Sequence, residues 1–381
     1  MVGVDGGSDV ISATYDLLGT AEEAAATAQR ICVEQTVEFP LDLIDREDIK
    51  DRIVAKVVSL EALDPGRHRV VVAFPRLVVG SDLTQLLNVL YGNISLVPGI
   101  RLVALDLPQP LLAHFDGPRF GRSGLRALAG VERRPLVATA LKPMGLSSRE
   151  LAELAGQLAR GGLDIIKDDH GLTDQSFCPF EERVTQCAAA VAEVNARQGT
   201  RCLYFANVTA PSGVMAERAA IARRVGAAGL VVAPGLTGLD AMARLAADGD
   251  VGLPILSHPA FQGALTVSDD FGIAHGVLYG QLNRLAGADG VIFPSHGGRF
   301  SFTRAQCREI VDGATCAMGS FAPIFPAPAG GMSLDRVGEL VEFYGDEVVL
   351  LIGGDLHRHG AGLIDGCRRF LEAVYSAGVE G

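Results

Sequence analysis

From about residue 135 onward the sequence repeats one pattern eight times, a short apolar run followed by a longer amphipathic segment. The apolar runs are 136–141, 163–167, 202–208, 230–233, 254–258, 291–295, 322–325 and 348–352. None alternates apolar with polar residues, as expected of a parallel strand covered on both faces. The segments between them read as helices. The first opens on a capping box, Ser147 with Glu150 three residues later, is apolar at Leu151, Leu154, Ala155 and Leu158, and stops at Gly161-Gly162. Gly226, Gly249, Gly287 and Gly345 end later helices in the same way. Eight such units predict an α/β fold, a (β/α)8 TIM barrel over residues 131–381. A doubly wound open sheet fits less well, because no G-x-G-x-x-G turn follows the first strand.

The preceding 130 residues lack that repeat. Residues 10–15, 52–60, 70–74 and 101–107 read as strands and 21–31 and 83–90 as helices, which predicts a smaller ferredoxin-like α+β domain over residues 1–130. Residues 116–134, with Gly117, Pro118, Gly121 and Gly124, read as the linker. A formal charge of −12 provides no basic face for nucleic acid or an anionic membrane. No run approaches 18 uncharged apolar residues, and the N-terminal segment lacks the pattern of a secretory signal, so a cytoplasmic location is expected. Seven cysteines without a C-x-x-C pair suggest neither a disulfide framework nor a zinc knuckle.

In a barrel the reacting groups lie at the C-terminal ends of the strands. Those positions hold Thr139 and Lys142, then Lys167-Asp168-Asp169-His170, then Asn207, His258, Ser295-His296, Gly330-Gly331 and Gly353-Gly354-Asp355. Of 33 basic residues only four are lysine, and two of these, Lys142 and Lys167, fall at adjacent strand ends. Arg cannot be deprotonated, so a retained Lys can serve where a tunable base, a Schiff-base amine or a carbamate is needed. Strand alternation projects Lys167 and Asp169 to the same side, with His170 able to turn in beside them. Oxygen donors with one nitrogen can bind a divalent cation, and a neutral lysine that captures carbon dioxide becomes an anionic carbamate. The plainer alternative is a salt-bridged strand end.

Two segments carry a family resemblance. Ala138-Thr139-Ala140-Leu141-Lys142-Pro143-Met144-Gly145-Leu146 and Gly161-Gly162-Leu163-Asp164-Ile165-Ile166-Lys167-Asp168-Asp169 resemble the signature segments of the Rubisco superfamily. Ala329-Gly330-Gly331-Met332 and Ile352-Gly353-Gly354 resemble its glycine-rich phosphate loops, and Gly92-Asn93 resembles the active-site asparagine segment of its N-terminal domain. The likeness implies that Lys167 is the lysine that carbon dioxide carbamylates and that Asp169 is a Mg²⁺ ligand. The third ligand position, Glu in the family, is His170 here. Imidazole suits Mg²⁺ less well than carboxylate does, so Mn²⁺ or another divalent metal joins the expectation. Lys142 matches the lysine that moves the proton during enolisation. Glu34 and Asn93 correspond to residues that complete a neighbouring subunit's site, which implies a homodimer at minimum. Carboxylation of ribulose bisphosphate is not expected, because no Lys follows Lys167 and Pro259 stands where the family places an Arg after the strand-five His. The resemblance is therefore to the Rubisco-like proteins, form IV.

Such machinery stabilises an enediolate of a phosphorylated keto-sugar or keto acid. Lys142, Lys167 and His258 are the expected catalytic residues. Thr139, Asn207, His296 and Arg299 are expected to contact the substrate, and Gly330, Gly331, Gly353 and Gly354 its phosphate. Residues 33–40, 142–146 and 293–300 look most like the group acting on 3-oxo-isoapionate 4-phosphate in apiose catabolism, so decarboxylation is the expected reaction, with transcarboxylation and hydrolysis as its variant. The alternatives are an enolase or isomerase of methionine salvage, a Schiff-base aldolase, and a sugar-phosphate-binding protein without activity.

Overall fold

The computed structural model describes residues 9–300 and 302–378. Residues 1–8 of the expected N-terminal domain and 379–381 of the expected barrel domain lie outside that range. The N-terminal part is built from β1 (Val10–Leu18), β2 (Lys56–Asp64), β3 (Arg67–Pro75) and β4 (Ile100–Asp106), with helices at Ala21–Glu34 and Leu83–Tyr91. The strands lie in the order β4-β1-β3-β2, all antiparallel, which with two crossing helices is the ferredoxin-like arrangement. Alternation makes it possible: Ile11, Ala13, Tyr15 and Leu17 of β1 are all fully buried on one face. Arg52, expected to open a strand, instead ends the short helix Glu47–Arg52.

Eight parallel strands close the barrel: β5 (Leu136–Leu141), β6 (Ile165–Asp168), β7 (Leu203–Asn207), β8 (Gly229–Val232), β9 (Ile255–Ser257), β11 (Gly290–Pro294), β12 (Phe325–Ala329) and β13 (Val349–Ile352). The remaining strand, β10 (Gly272–Ile273), leaves the barrel between β9 and β11 and pairs in parallel with β4. It stitches the barrel chain onto the edge of the N-terminal sheet. The barrel interior is filled by Leu136, Ala138, Ile165, Leu203, Phe205, Val231, Leu256, Ile292, Phe325, Ala327, Val349 and Leu351. The interior is thus packed rather than open.

Two expectations need correction. The seventh strand begins at Phe325, where the expected run ends, and spans Phe325-Pro326-Ala327-Pro328-Ala329. Pro is disfavoured in sheet interiors because it cannot donate to the ladder. Here the Phe325 N–H donates to Asp289 on the β11 side, so the two prolines, one residue out of phase, turn their missing donors toward β13. The consequence is visible in the register: β12 pairs over five residues with β11 but only at Ala329 with β13. The expected linker 116–134 contains a helix, Gly121–Ala129, whose Leu125 and Ala129 plug the bottom of the barrel interior. Buried Asp289 fastens that plug by accepting the N–H groups of Phe120 and Gly121 at 2.7 Å and of Ile255 at 2.9 Å.

His275, just after β10, is fully buried against Phe302, edge to face at 4.5 Å, with no partner for either ring nitrogen among the described residues. Burial, and then the Arg101 charge, push its imidazole down to about 4, against a smaller upward pull from Asp269. The unfolded chain binds this proton near its ordinary value of 6.5 and the folded chain only near 4. Stability from a neutral His275 is therefore complete above pH 6.5 and is lost as pH falls toward 4, by on the order of 3 kcal/mol. His275→Leu is expected to flatten this part of the pH profile, measured as urea midpoints between pH 7.5 and 4.5. An unchanged slope in the variant would assign it to other groups.

Candidate active site

The site is built at the top of β6, where alternation sends successive acids to opposite sides. Asp168 points outward and is fully buried, accepting from Arg183 at 3.1 Å, the Tyr204 hydroxyl at 2.7 Å and the Asn207 N–H at 3.1 Å. Lys167 points to the other side, is 2% exposed, and donates to the Asp168 carbonyl at 2.8 Å. Burial lowers its ammonium to about 8, although the charges of Asp169 and Asp168 favour it. Asp169 joins it on that side and is contacted by Lys142 Nζ at 2.8 Å and His170 Nδ1 at 3.3 Å. Burial pushes the Asp169 carboxyl up, but hydrogen bonds from His170 and Lys142 and the Lys167 charge hold it well below the usual carboxylate range. It is an anion at every working pH.

His258, after β9, stacks on His170 with ring centroids 4.1 Å apart and planes 13° from parallel. Burial, then the charges of Lys167 and His170, hold its imidazole far below the ordinary histidine value. The ring is therefore neutral. Its Nδ1 accepts from the Ala260 N–H at 3.2 Å, which leaves the proton on Nε2. Lys142, Lys167, Asp169, His170 and His258 thus form one constellation.

The other expected site residues are placed differently. Thr139 is buried and its hydroxyl donates to the Ile352 carbonyl at 2.7 Å, tying β5 to β13. Asn207, expected to orient substrate hydroxyls, is fully buried, and its amide donates to the carbonyls of His170 at 3.0 Å and Leu172 at 2.8 Å. It holds the loop that carries Asp169 and His170. Asn207→Ala removes both donors and is expected to cost about 2 kcal/mol of stability, read from the urea midpoint. His296 is buried against Phe343 with Nδ1 3.7 Å from Glu339, and its Nε2 has no partner among the described residues. Arg299 is exposed and its guanidinium lies over the Phe300 ring. Gly330 and Gly331 adopt positive φ of 79° and 68°. A Cβ at Gly353 or Gly354 would meet nothing within 4 Å, so the backbone there faces open space. Glu34 and Asn93 are joined to each other at 2.9 Å, with Glu38 3.2 Å from the same Asn93 amide. No hydrogen bond among the described residues links that trio to the barrel mouth.

Arg183 and Tyr204, which brace Asp168, lie outside the residues to which the sequence points. The signal was present for Arg183: it falls on the same helical face as Val184, Cys187, Val191 and Val194, a charge inside an apolar stripe. A cavity of about 990 Å³ lies at the opposite, N-terminal end of the barrel, against Arg126, Arg134 and Tyr375, and holds none of the strand-end residues.

Among the described residues no three His, Cys, Asp or Glu side chains converge as a ready metal site. Asp169 and His170 supply two donors, and Lys167 becomes a third only as a carbamate. Its burial and lowered ammonium suit that chemistry, because carbon dioxide adds to the neutral amine. An anion, an imidazole and a buried lysine beside a second, half-exposed lysine are groups that can support enolisation.

Residues 123–381 match the family described as "Ribulose bisphosphate carboxylase large chain, catalytic domain". The chain is 38% identical to a 5-methylthioribulose-1-phosphate isomerase of Rhodospirillum rubrum, over 98% of both chains. It is 35% identical to a 2,3-diketo-5-methylthiopentyl-1-phosphate enolase of Geobacillus thermodenitrificans, over 96% of this chain and 92% of that one. A crystal structure of a Rubisco-like protein from Rhodopseudomonas palustris superposes with a TM-score of 0.88 at 39% identity, covering 97% of this chain and 99% of that one. With barrel, ferredoxin-like domain and strand-end lysines all in place, the chain belongs to the Rubisco large-chain family, on its Rubisco-like branch.

Proposed function

We propose that this chain moves a proton at the carbon beside the carbonyl of a singly phosphorylated keto-sugar, with an isomerase or enolase outcome. The observation that carries this reading is the contact of Lys142 Nζ with ionised Asp169 at 2.8 Å beside the buried Lys167. The names of the Rhodospirillum rubrum and Geobacillus thermodenitrificans relatives support proton transfer over the decarboxylation expected from sequence. Loss of carbon dioxide from a 3-oxo acid would leave the same kind of enolate, so the two outcomes are separated by product and not by machinery.

Lys167 as its carbamate, Asp169 and His170 would hold a divalent cation, Mg²⁺ or Mn²⁺. When bound, it supplies positive charge that stabilises an enediolate. As a neutral amine Lys142 takes the proton from carbon onto Nζ and, as the ammonium so formed, returns it to the neighbouring carbon. The Nε2–H of His258 donates to a substrate oxygen, and its stacking on His170 fixes the direction of that donor. The loops at Gly330-Gly331 and Gly353-Gly354, with Gly331 and Gly354 exposed, receive the phosphate on backbone N–H groups. Glu34 and Asn93 reach the barrel of a second copy, making the active unit at least a homodimer.

The test offers the purified protein, with Mg²⁺ or Mn²⁺ and bicarbonate, three substrates: 5-methylthioribulose 1-phosphate, 2,3-diketo-5-methylthiopentyl 1-phosphate and 3-oxo-isoapionate 4-phosphate. Phosphorus NMR is expected to show an isomer or enol from one of the first two. Carbon dioxide release from the third, with the first two untouched, would replace this reading by decarboxylation.

A further inference from the structure

Three loops meet at the mouth after β11, β12 and β13, and their glycines leave little side-chain packing to set the spacing between them. The first two touch through backbone: a Cβ on Gly331 would stand 2.4 Å from Gly298 Cα. Beyond that contact, two side chains hold the set together. Arg336 donates to the Gly331 carbonyl at 3.0 Å and the His296 carbonyl at 3.1 Å, joining the β12 loop to the β11 loop. Asp355 joins the β13 loop to the β12 segment. It does so through a single oxygen: Oδ2 accepts from the Leu334 N–H at 3.0 Å and from His359 Nε2 at 2.8 Å.

The position of this acid is informative. A carboxylate beside loops that receive a phosphate dianion is electrostatically adverse unless it does something the binding needs. Gly354, the residue before Asp355, is exposed, whereas the Asp355 side chain is only 20% exposed and already committed to its two donors. We infer that Asp355, backed by His359, is a positioning residue for phosphate binding, a one-oxygen clamp that sets the distance between the two glycine loops. This rests on the reading above that those loops take the substrate phosphate.

The geometry separates the clamp from a charge effect. Asparagine can present its one carbonyl oxygen where Oδ2 stands and keep both bonds, while leucine keeps the branched shape and loses both. Titration calorimetry with inorganic phosphate is expected to show D355L weakened ~10-fold and D355N within ~2-fold of the parent. On a turned-over substrate the loss in D355L appears in KM, with kcat within ~2-fold. H359F keeps a ring against Phe370, 5.9 Å away, but loses the donor, and is expected to weaken phosphate ~3-fold. Parental affinity in D355L, or D355N as weak as D355L, would overturn the clamp while leaving the phosphate loops standing. If the acid acted only through its charge, D355N and D355L would both bind phosphate more tightly, which also overturns it. A parent protein that binds no phosphate would overturn the loop assignment and the clamp together.

Discussion

Lys167→Ala is expected to lower turnover of the phosphorylated keto-sugar by about 10³-fold or more, the scale seen when a preorganised electrostatic group is removed from an active site. Lys167 is the one buried amine of the constellation, and without it the described residues leave Asp169 and His170 with no third side chain beside them that could hold a cation. Divalent-metal affinity and its enhancement by bicarbonate should disappear together in this variant, followed by calorimetry with Mn²⁺. The fold should survive, because the side chain donates to the neighbouring Asp168 carbonyl, while the outward bracing through Arg183 and Tyr204 belongs to Asp168. Near-parental turnover in a folded Lys167→Ala protein would rule out a carbamate role.

The second large effect belongs to Lys142. Lys142→Ala should reduce turnover by about 10²–10⁴-fold, the usual contribution of a positioned general acid or base. Its side chain is half-exposed at the mouth and touches Asp169, so removal empties no core volume. Metal binding should persist, since the Lys142 ammonium is not a donor to a cation and its loss removes a competing positive charge from Asp169. The pair of variants therefore dissociates two functions: Lys167→Ala loses metal and turnover, Lys142→Ala loses turnover alone. Parallel loss of both properties in the two variants would mean that Lys142 supports the site structurally.

Much of this site is legible in sequence because it rests on local rules. Alternation along β6 sends Lys167 and Asp169 one way and Asp168 the other, and the structure shows Asp168 locked to Arg183 and Tyr204 on the far side. The capping box read at Ser147 and Glu150 is present with both hydrogen bonds. What stays hidden depends on partners distant along the chain. The helix Gly121–Ala129 contains two glycines and is stabilised by plugging the barrel and by buried Asp289, neither of which its own residues announce. The seventh strand is misplaced because Pro326 and Pro328 argue locally against a strand, and only the neighbour on the β11 side makes them tolerable. Asn207 sits at the expected strand end, yet its amide turns into the β6 loop, a choice fixed by carbonyls 35 and 37 residues away. The Asp355 and Arg336 contacts join loops of different units and are invisible to any local pattern.

The most direct test of the enolising site is hydrogen exchange from solvent. The protein, loaded with Mn²⁺ or Mg²⁺ and bicarbonate, is incubated in D2O with 5-methylthioribulose 1-phosphate, and deuterium at the carbons flanking the carbonyl is followed by NMR and mass spectrometry. Deuterium should enter with the parent protein and fail to enter with Lys142→Ala. Exchange at equal rates in both proteins, or none with the parent on any phosphorylated keto-sugar, would contradict a proton-moving lysine at the mouth of this barrel.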